Sequence, residues 1–357
     1  MNARSLLLAA AAAAATSTLV ACGDGGSTST SSAKAPSITT ASTAGAGART
    51  HYPLTIKGNC GRTVTVDAAP KRVVSVSQGS TEILLSLGLA DRMVGTAGWT
   101  DRIRPNLAAA NATVKRLSDT EVSFERVLDE NPDLVTASFA YGIDGDDPAR
   151  RDTYAKLGVP TYLSPTHCEG RTDESGDGPR DHPLQMSTIY TEIRQLAEIF
   201  DVQARGEALV DQLEGRLAKV QRAPGGKPIS VLFWFANTES PYVAGCCGSP
   251  GIIARATGTT NAFVGTHVEW PQAGWETVLQ KDPTVLVLGD LQRKSQTGDK
   301  LADKIRFLET NPVTKRLTAV REHRYVIMNG ADMNPSIRTV DGAEKLAAGI
   351  RKLGLVS

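Results

Sequence analysis

Two α/β lobes, each a three-layer stack around a mostly parallel sheet, joined by a long helix and separated by a cleft, are the fold class that this sequence predicts. Three observations predict it. Short buried strands alternate with amphipathic helices from residue 72 to residue 163, which is the pattern of a parallel sheet with helices on its faces. The same alternation restarts at Ile229 after a Pro224-Gly225-Gly226 stop. Finally, a 13-residue segment occurs twice at a constant offset of 151 residues, once in each half.

The elements follow in chain order. Arg4, the apolar run Leu6 to Ala15 and the closing Leu19-Val20-Ala21-Cys22 form an export segment over 1–21, too short to remain as a membrane span. Its last four residues resemble the lipobox of bacterial lipoproteins, which implies cleavage before Cys22 and a lipid on that thiol. Residues 22–50 carry that cysteine and then Gly, Ser, Thr and Ala with hardly a charge; they cannot bury enough apolar surface to fold and read as a flexible tether. The first lobe is assigned to 51–183, an interlobe helical connection to 184–223 and the second lobe to 224–357.

Within the first lobe, two short strands surround Asn59-Cys60-Gly61 as a hairpin, with Asn and Gly expected to supply the turn angles. Arg72-Val-Val-Ser-Val is a strand, and the helix after it ends at Gly88. A helix over 123–130, the strand at Leu134 and the strand at Pro160 complete the lobe, and the Gly- and Pro-rich stretch 169–183 reads as a surface loop. Ile189, Ile193, Leu196 and Phe200 share one helical face, as do Leu209, Leu213, Leu217 and Val220. The second lobe has strands at Ile229, Val285 and Arg324 and a last helix from about Ile337 to Leu353.

Composition narrows function. Lys and Arg number 39 against 38 Asp and Glu, so no global field draws nucleic acid. Gly-x-Ser-x-Gly, phosphate-loop and His-Glu-x-x-His patterns are missing from the sequence, and the five histidines (51, 167, 182, 267, 323) form no recognisable catalytic arrangement, which argues against an enzyme. A secreted lipoprotein hydrolase remains the alternative of another class. Cys246, Cys247 and His267 are the one suggestive metal-ligating group, but adjacent thiols are poorly spaced to chelate one ion, and no metal site is assigned. Cys60, Cys168, Cys246 and Cys247 are disulfide candidates in three connectivities. Cys60 with Cys168 is favoured, leaving Cys246 and Cys247 as a vicinal pair or as free thiols.

The repeated segment is Ser123-Phe-Glu-Arg-Val-Leu-Asp-Glu-Asn-Pro-Asp-Leu-Val and Gly274-Trp-Glu-Thr-Val-Leu-Gln-Lys-Asp-Pro-Thr-Val-Leu. Each is a short helix that opens near a Glu, stops before Pro and feeds a buried strand. Acids favour the first turn of any helix through its dipole. One at the same position of each lobe, Glu125 and Glu276, is also a symmetric pair suited to a two-fold partner bearing basic side chains.

With these segments, the run Arg72-Val-Val-Ser-Val-Ser-Gln-Gly-Ser-Thr-Glu-Ile-Leu-Leu-Ser-Leu-Gly and Asn334-Pro-Ser-Ile-Arg-Thr at the final helix, residues 51–357 resemble the ABC-importer binding proteins that deliver ferric siderophores, haem and cobalamin. The resemblance implies permease docking through Glu125 and Glu276 and a small-molecule ligand between the lobes. It also implies a monomer on the extracytoplasmic face, held to the membrane by its lipid alone. A ferric siderophore is the first choice; a corrinoid, haem or a deazaflavin-coenzyme precursor follow. No cofactor is expected apart from Fe3+ chelated within the ligand.

Open α/β sheets place ligands at loops after strand ends. In those loops lie the candidate ligand-binding residues Gln78, Ser80, Trp99, Tyr141, Trp234, Tyr242, Trp270 and Arg338. About two of the three tryptophans are expected to line the cleft by stacking. Arg338 either grips an anionic ligand or pairs with a nearby carboxylate. Tyr141, His267 and Met333 are the available axial ligands should the solute be haem.

Overall fold

A computed structural model describes residues 49–145, 147, 149–172, 178–220, 229–293 and 298–356. The export segment, Cys22, the tether up to residue 48, part of the 169–183 stretch and the Pro-Gly-Gly stop lie outside the described residues. No helix among the described residues is long and apolar enough to cross a membrane.

The chain enters through Thr50, whose amide donates to Asp201 Oδ1 at 2.8 Å. Strands β1 (Leu54–Asn59) and β2 (Arg62–Val66) then pair antiparallel. The turn residues are Cys60 (φ 48°) and Gly61 (φ 78°), both left-handed as a two-residue hairpin requires. Asn59 was expected to supply a turn angle; instead it ends β1 and turns its amide inward, accepting from Leu163 N (2.9 Å) and donating to Leu163 O (2.7 Å). A side chain thus extends the ladder of the neighbouring sheet and pins the hairpin to it.

That sheet is built from β3 (Val73–Ser75), β4 (Met93–Thr96), β5 (Leu134–Ala137) and β6 (Thr161–Leu163) in the order β4-β3-β5-β6, all parallel. Its strands are buried on both faces: Val73, Leu134 and Tyr162 join one apolar cluster, and Val74, Val135 and Leu163 the other. Such two-sided burial is why they read as near-continuous hydrophobic runs. Helix α1 (Gln78–Ser86) follows β3, and the five-residue α2 (Phe124–Leu128), capped by the Ser123 hydroxyl, precedes β5.

The interlobe connection is a pair of helices rather than one. Helix α3 (Met186–Ile199) ends as Asp201 adopts a left-handed conformation (φ 55°), and α4 (Gln203–Ala218) carries the chain away. The buried faces of both, including Ile193, Leu196, Val210 and Leu213, belong to the first-lobe core.

The second lobe sheet comprises β7 (Ser230–Ala236), β8 (Tyr242–Val243), β9 (Thr260–Asn261), β10 (Val285–Asp290) and β11 (Tyr325–Asn329). Its order is β11-β10-β7-β8 with β9 also on β7, and every pairing but β7 with β8 is parallel. Around it pack α5 (Ser249–Thr257), α6 (Trp275–Lys281), the one-turn α7 (Gly330–Met333) and α8 (Arg338–Lys352). Alternate residues serve opposite faces: Val231, Phe233, Val285 and Val287 on one, Leu232, Trp234, Leu286 and Leu288 on the other. Ile252, Ile337 and Val340 of this lobe pack into the first-lobe core, so the lobes share apolar contact at their base.

Candidate functional site

The segments that follow the C-terminal ends of β4, β5, β7, β10 and β11 face one another across the lobes and border a cavity of about 310 Å3. Thr100, Phe139 and Tyr141 line it from the first lobe; Phe235, Tyr242, Glu269, Trp270, Arg293 and Asn334 from the second. Phe139 and Tyr141 stack at 5.5 Å with an interplanar angle of 11°. Phe235 and Trp270 meet at 4.8 Å, and the Arg293 guanidinium lies 5.6 Å over Phe235. Aromatic faces therefore form both walls, with an amide and a guanidinium among them.

Of the sequence candidates, Tyr141, Tyr242 and Trp270 line this cavity. Trp234 does not, and the reading of it as a cleft residue is corrected. It is wholly buried, meets Trp275 edge-on at 4.8 Å, and satisfies its indole N–H at Ala236 O and Asn237 O. Strand parity is the physical reason: on β7 the next residue, Phe235, projects to the opposite side and reaches the cleft. Trp99 is nine-tenths buried beneath the Arg116 guanidinium, 4.1 Å from its ring centroid. One tryptophan of three lines the cavity, where two were expected. Phe139, Phe235, Glu269, Arg293 and Asn334 were not singled out, although most lie in or beside the loops the strand ends indicated.

Behind the cavity, Gln78 and Arg338 join a polar network that spans the lobes. The Gln78 carbonyl accepts from Thr100 N (3.0 Å) and Asp101 N (2.9 Å), and its amide donates to Glu82 Oε1 at 3.1 Å. Arg338 donates from Nε to Glu82 Oε2 (2.7 Å) and from Nη2 to Glu82 Oε1 (2.5 Å) and Arg102 O (2.6 Å). The carboxylate-pairing alternative is the one the structure holds: Arg338, at the start of α8, locks onto α1 of the other lobe. Asp101 adds a second crossing by accepting from Ala331 N at 2.5 Å, and burial pushes its carboxyl up to about 6. Ser80 is fully buried in the first turn of α1, its amide donating to Ser138 Oγ at 3.0 Å, and it does not line the cavity; that reading is also corrected.

The described part of the 169–183 stretch is not a free surface loop. Arg180 is 1% exposed and donates to Glu269 Oε2 from Nε (3.0 Å) and Nη2 (2.9 Å), while Arg171 reaches the same oxygen at 2.7 Å. Arg180 N also bonds His267 O, and Leu184 N bonds Cys247 O. Two arginines of the first lobe thereby orient a cleft carboxylate of the second, 89 residues from Arg180.

Cys60 and Cys168 are joined by a disulfide with Cα atoms 5.4 Å apart, and Cys246 and Cys247 form a vicinal disulfide on the loop between β8 and α5. With His267 the latter pair brings three ligand-type atoms within 4.8 Å, but both sulfurs are engaged in the bridge. Glu125 and Glu276 occupy the second position of α2 and α6, each exposed. Their matching placement follows from the repeat: one helix start per lobe, each feeding a strand of its sheet, β5 and β10.

Known proteins share this architecture. A periplasmic binding protein from Veillonella parvula aligns at TM-score 0.71 and 26% identity, covering 84% of this chain and 97% of that one. The ABC-type Fe3+-hydroxamate transport system structure from Saccharomonospora viridis aligns at TM-score 0.68 and 25% identity, covering 84% and 99%. A vitamin B12-binding protein of Yersinia pestis is 28% identical over 226 residues, 63% of this chain and 71% of the relative. The periplasmic binding protein family model matches residues 73–331. With two facing α/β lobes, a cleft at their strand ends and that match over most of its folded length, the chain belongs to the periplasmic binding protein family.

Proposed function

We propose that this protein captures a preformed metal chelate, a ferric siderophore first among them, outside the cytoplasmic membrane and delivers it to an ABC importer. The observation that carries the reading is the aromatic-walled cavity between the lobes, where stacking rings and a few fixed polar groups suit a bulky, partly apolar chelate. The ferric-hydroxamate relative supports this choice, and the vitamin B12-binding relatives favour a corrinoid as the second reading. In both, the metal arrives with its coordination filled, so the protein needs to supply shape and hydrogen bonds rather than ligands.

The exposed carboxylates of Glu125 and Glu276, one per lobe, serve as the docking pair for a permease dimer. Cys22 carries the lipid that keeps the protein at the membrane surface. Capture and docking require no turnover, in keeping with a binding protein rather than an enzyme. Purification from the native host tests the reading through the absorbance spectrum and mass of whatever co-purifies, together with tryptophan-fluorescence titration of a ferric trihydroxamate, cyanocobalamin and haemin. Saturable quenching by the ferric chelate is expected. Tight binding of haemin alone, or hydrolysis of a co-purified ester, would overturn it.

A further inference from the structure

The cleft has a floor with its own chemistry. Below the aromatic walls a small cavity of about 20 Å3, room for one water-sized group, is lined by Ser77, Gly79 and Ser138 of the first lobe and Asn334, Ser336 and Arg338 of the second. It shares Thr100, Phe139, Tyr141 and Asn334 with the larger cavity, so the two adjoin.

Ser77 is the residue before α1, the position where a hydroxyl ordinarily caps the helix, yet its side chain makes no capping bond. Its Oγ is buried and without a hydrogen-bond partner, and the residue is 5% exposed. Leaving a buried hydroxyl unsatisfied is costly, and Ser77 is one of the residues lining this cavity beside the ligand cleft. Ser138 Oγ accepts from Ser80 N at 3.0 Å, which leaves its own proton to be donated. Between them sits Gly79, where an added Cβ would lie 2.8 Å from Ser138 Oγ and 3.3 Å from Ser336 Cβ. Its missing side chain lets the start of α1 approach the opposite lobe at Ser336. Glu82 and Arg338 line the same cavity, and because their charges are committed to each other, the floor offers hydroxyls beside a neutralised ion pair rather than a free cation.

From this geometry we infer that the floor is an oxygen-acceptor subsite, in which the hydroxyls of Ser77 and Ser138 receive a terminal carboxylate or carboxamide oxygen from an arm of the chelate. The inference rests on the cleft reading above and adds a specificity determinant to it: among chelates that the walls accept, those with such an arm bind better.

The test uses the full-length protein in detergent, wild type and S77A, with four probes followed by tryptophan fluorescence. These are a linear ferric trihydroxamate with a terminal carboxylate, its methyl ester, cyanocobalamin for its carboxamide arms, and a cyanocobalamin derivative with one arm hydrolysed to carboxylate. S77A is expected to weaken the probe carrying the accepted arm about tenfold, as loss of one good hydrogen bond does. It should leave the ester within about twofold and the melting temperature unchanged or raised, because the hydroxyl has no partner within the protein. The pair that loses affinity identifies the arm as carboxylate or carboxamide. Equal affinities of wild type and S77A for every probe that binds would overturn the subsite alone. Failure of all four to bind wild type would overturn the cleft reading and the subsite with it. A fall in melting temperature for S77A without an arm-dependent change in affinity would show Ser77 to be structural.

Discussion

Replacing Arg338 by Met separates a lock between the lobes from a grip on ligand. Arg338 is 3% exposed and Glu82 is fully buried, and they exchange two direct hydrogen bonds at 2.5 and 2.7 Å, with a third from Arg338 to Arg102 O at 2.6 Å. Methionine keeps much of the stem's packing but removes the charge, so Glu82 retains only Gln78 Nε2 at 3.1 Å and Arg104 N at 3.3 Å. Stranding one partner of a buried pair costs about 3–5 kcal/mol. For a folded region of this size that corresponds to a fall of roughly 6–10 °C in melting temperature. The E82Q/R338M double variant removes the stranded charge and should recover at least half of the loss. Differential scanning calorimetry of the four proteins of this cycle gives the coupling directly. A loss below about 1 kcal/mol for R338M, combined with a tenfold or greater loss of chelate affinity, would refute the lock and return Arg338 to the ligand.

The other expectations are independent of that pair. If Glu125 and Glu276 dock the permease as proposed, E125K/E276K should abolish uptake in cells while leaving chelate affinity unchanged, because neither residue lines the cavity; a matching fall in affinity would show the two residues mis-assigned. W270A should weaken binding by a stacking-sized amount, about 0.5–1.5 kcal/mol beyond area loss, whereas W234A should cost about 3–5 kcal/mol of stability because a core indole is deleted; titration and calorimetry distinguish them. Glu192 on α3 is 1% exposed, accepts from Ser164 Oγ at 2.6 Å, and burial pushes its carboxyl up to about 7. A raised folded-state value makes an acid lower stability as pH rises from the ordinary carboxylate range through 7, so E192Q should be more stable than wild type by about 3 kcal/mol at pH 8 and nearly equal at pH 4. Equal pH slopes for the two proteins would contradict this.

Periodicity and punctuation carry local information, and what they specified here is local. The buried strands at Val73, Leu134, Val231 and Val285 were legible because a strand covered on both faces must be apolar along its length. The duplicated Ser123 and Gly274 segments disclosed two lobes because a helix stop before proline followed by a buried strand is written in adjacent residues. The cleft loops were legible for the same reason, as the segments after those strands. Which side chain of a loop or strand end enters the cleft was not, since Trp234 and Phe235 differ only in which face of β7 points to the core. That choice belongs to the packing of the sheet against its two helical layers.

Nor could spacing reveal that Arg338 answers Glu82 across 256 residues, that Arg180 anchors Glu269, or that the Asn59 side chain pins the hairpin to β6. A buried charge or amide must find a partner wherever the fold brings one, and chain distance sets no limit on where that is. The sequence by itself determined the two-lobed α/β plan and the matched positions of Glu125 and Glu276 in the repeat. Only the tertiary structure decided which polar groups are spent holding the lobes together and which remain to meet a ligand.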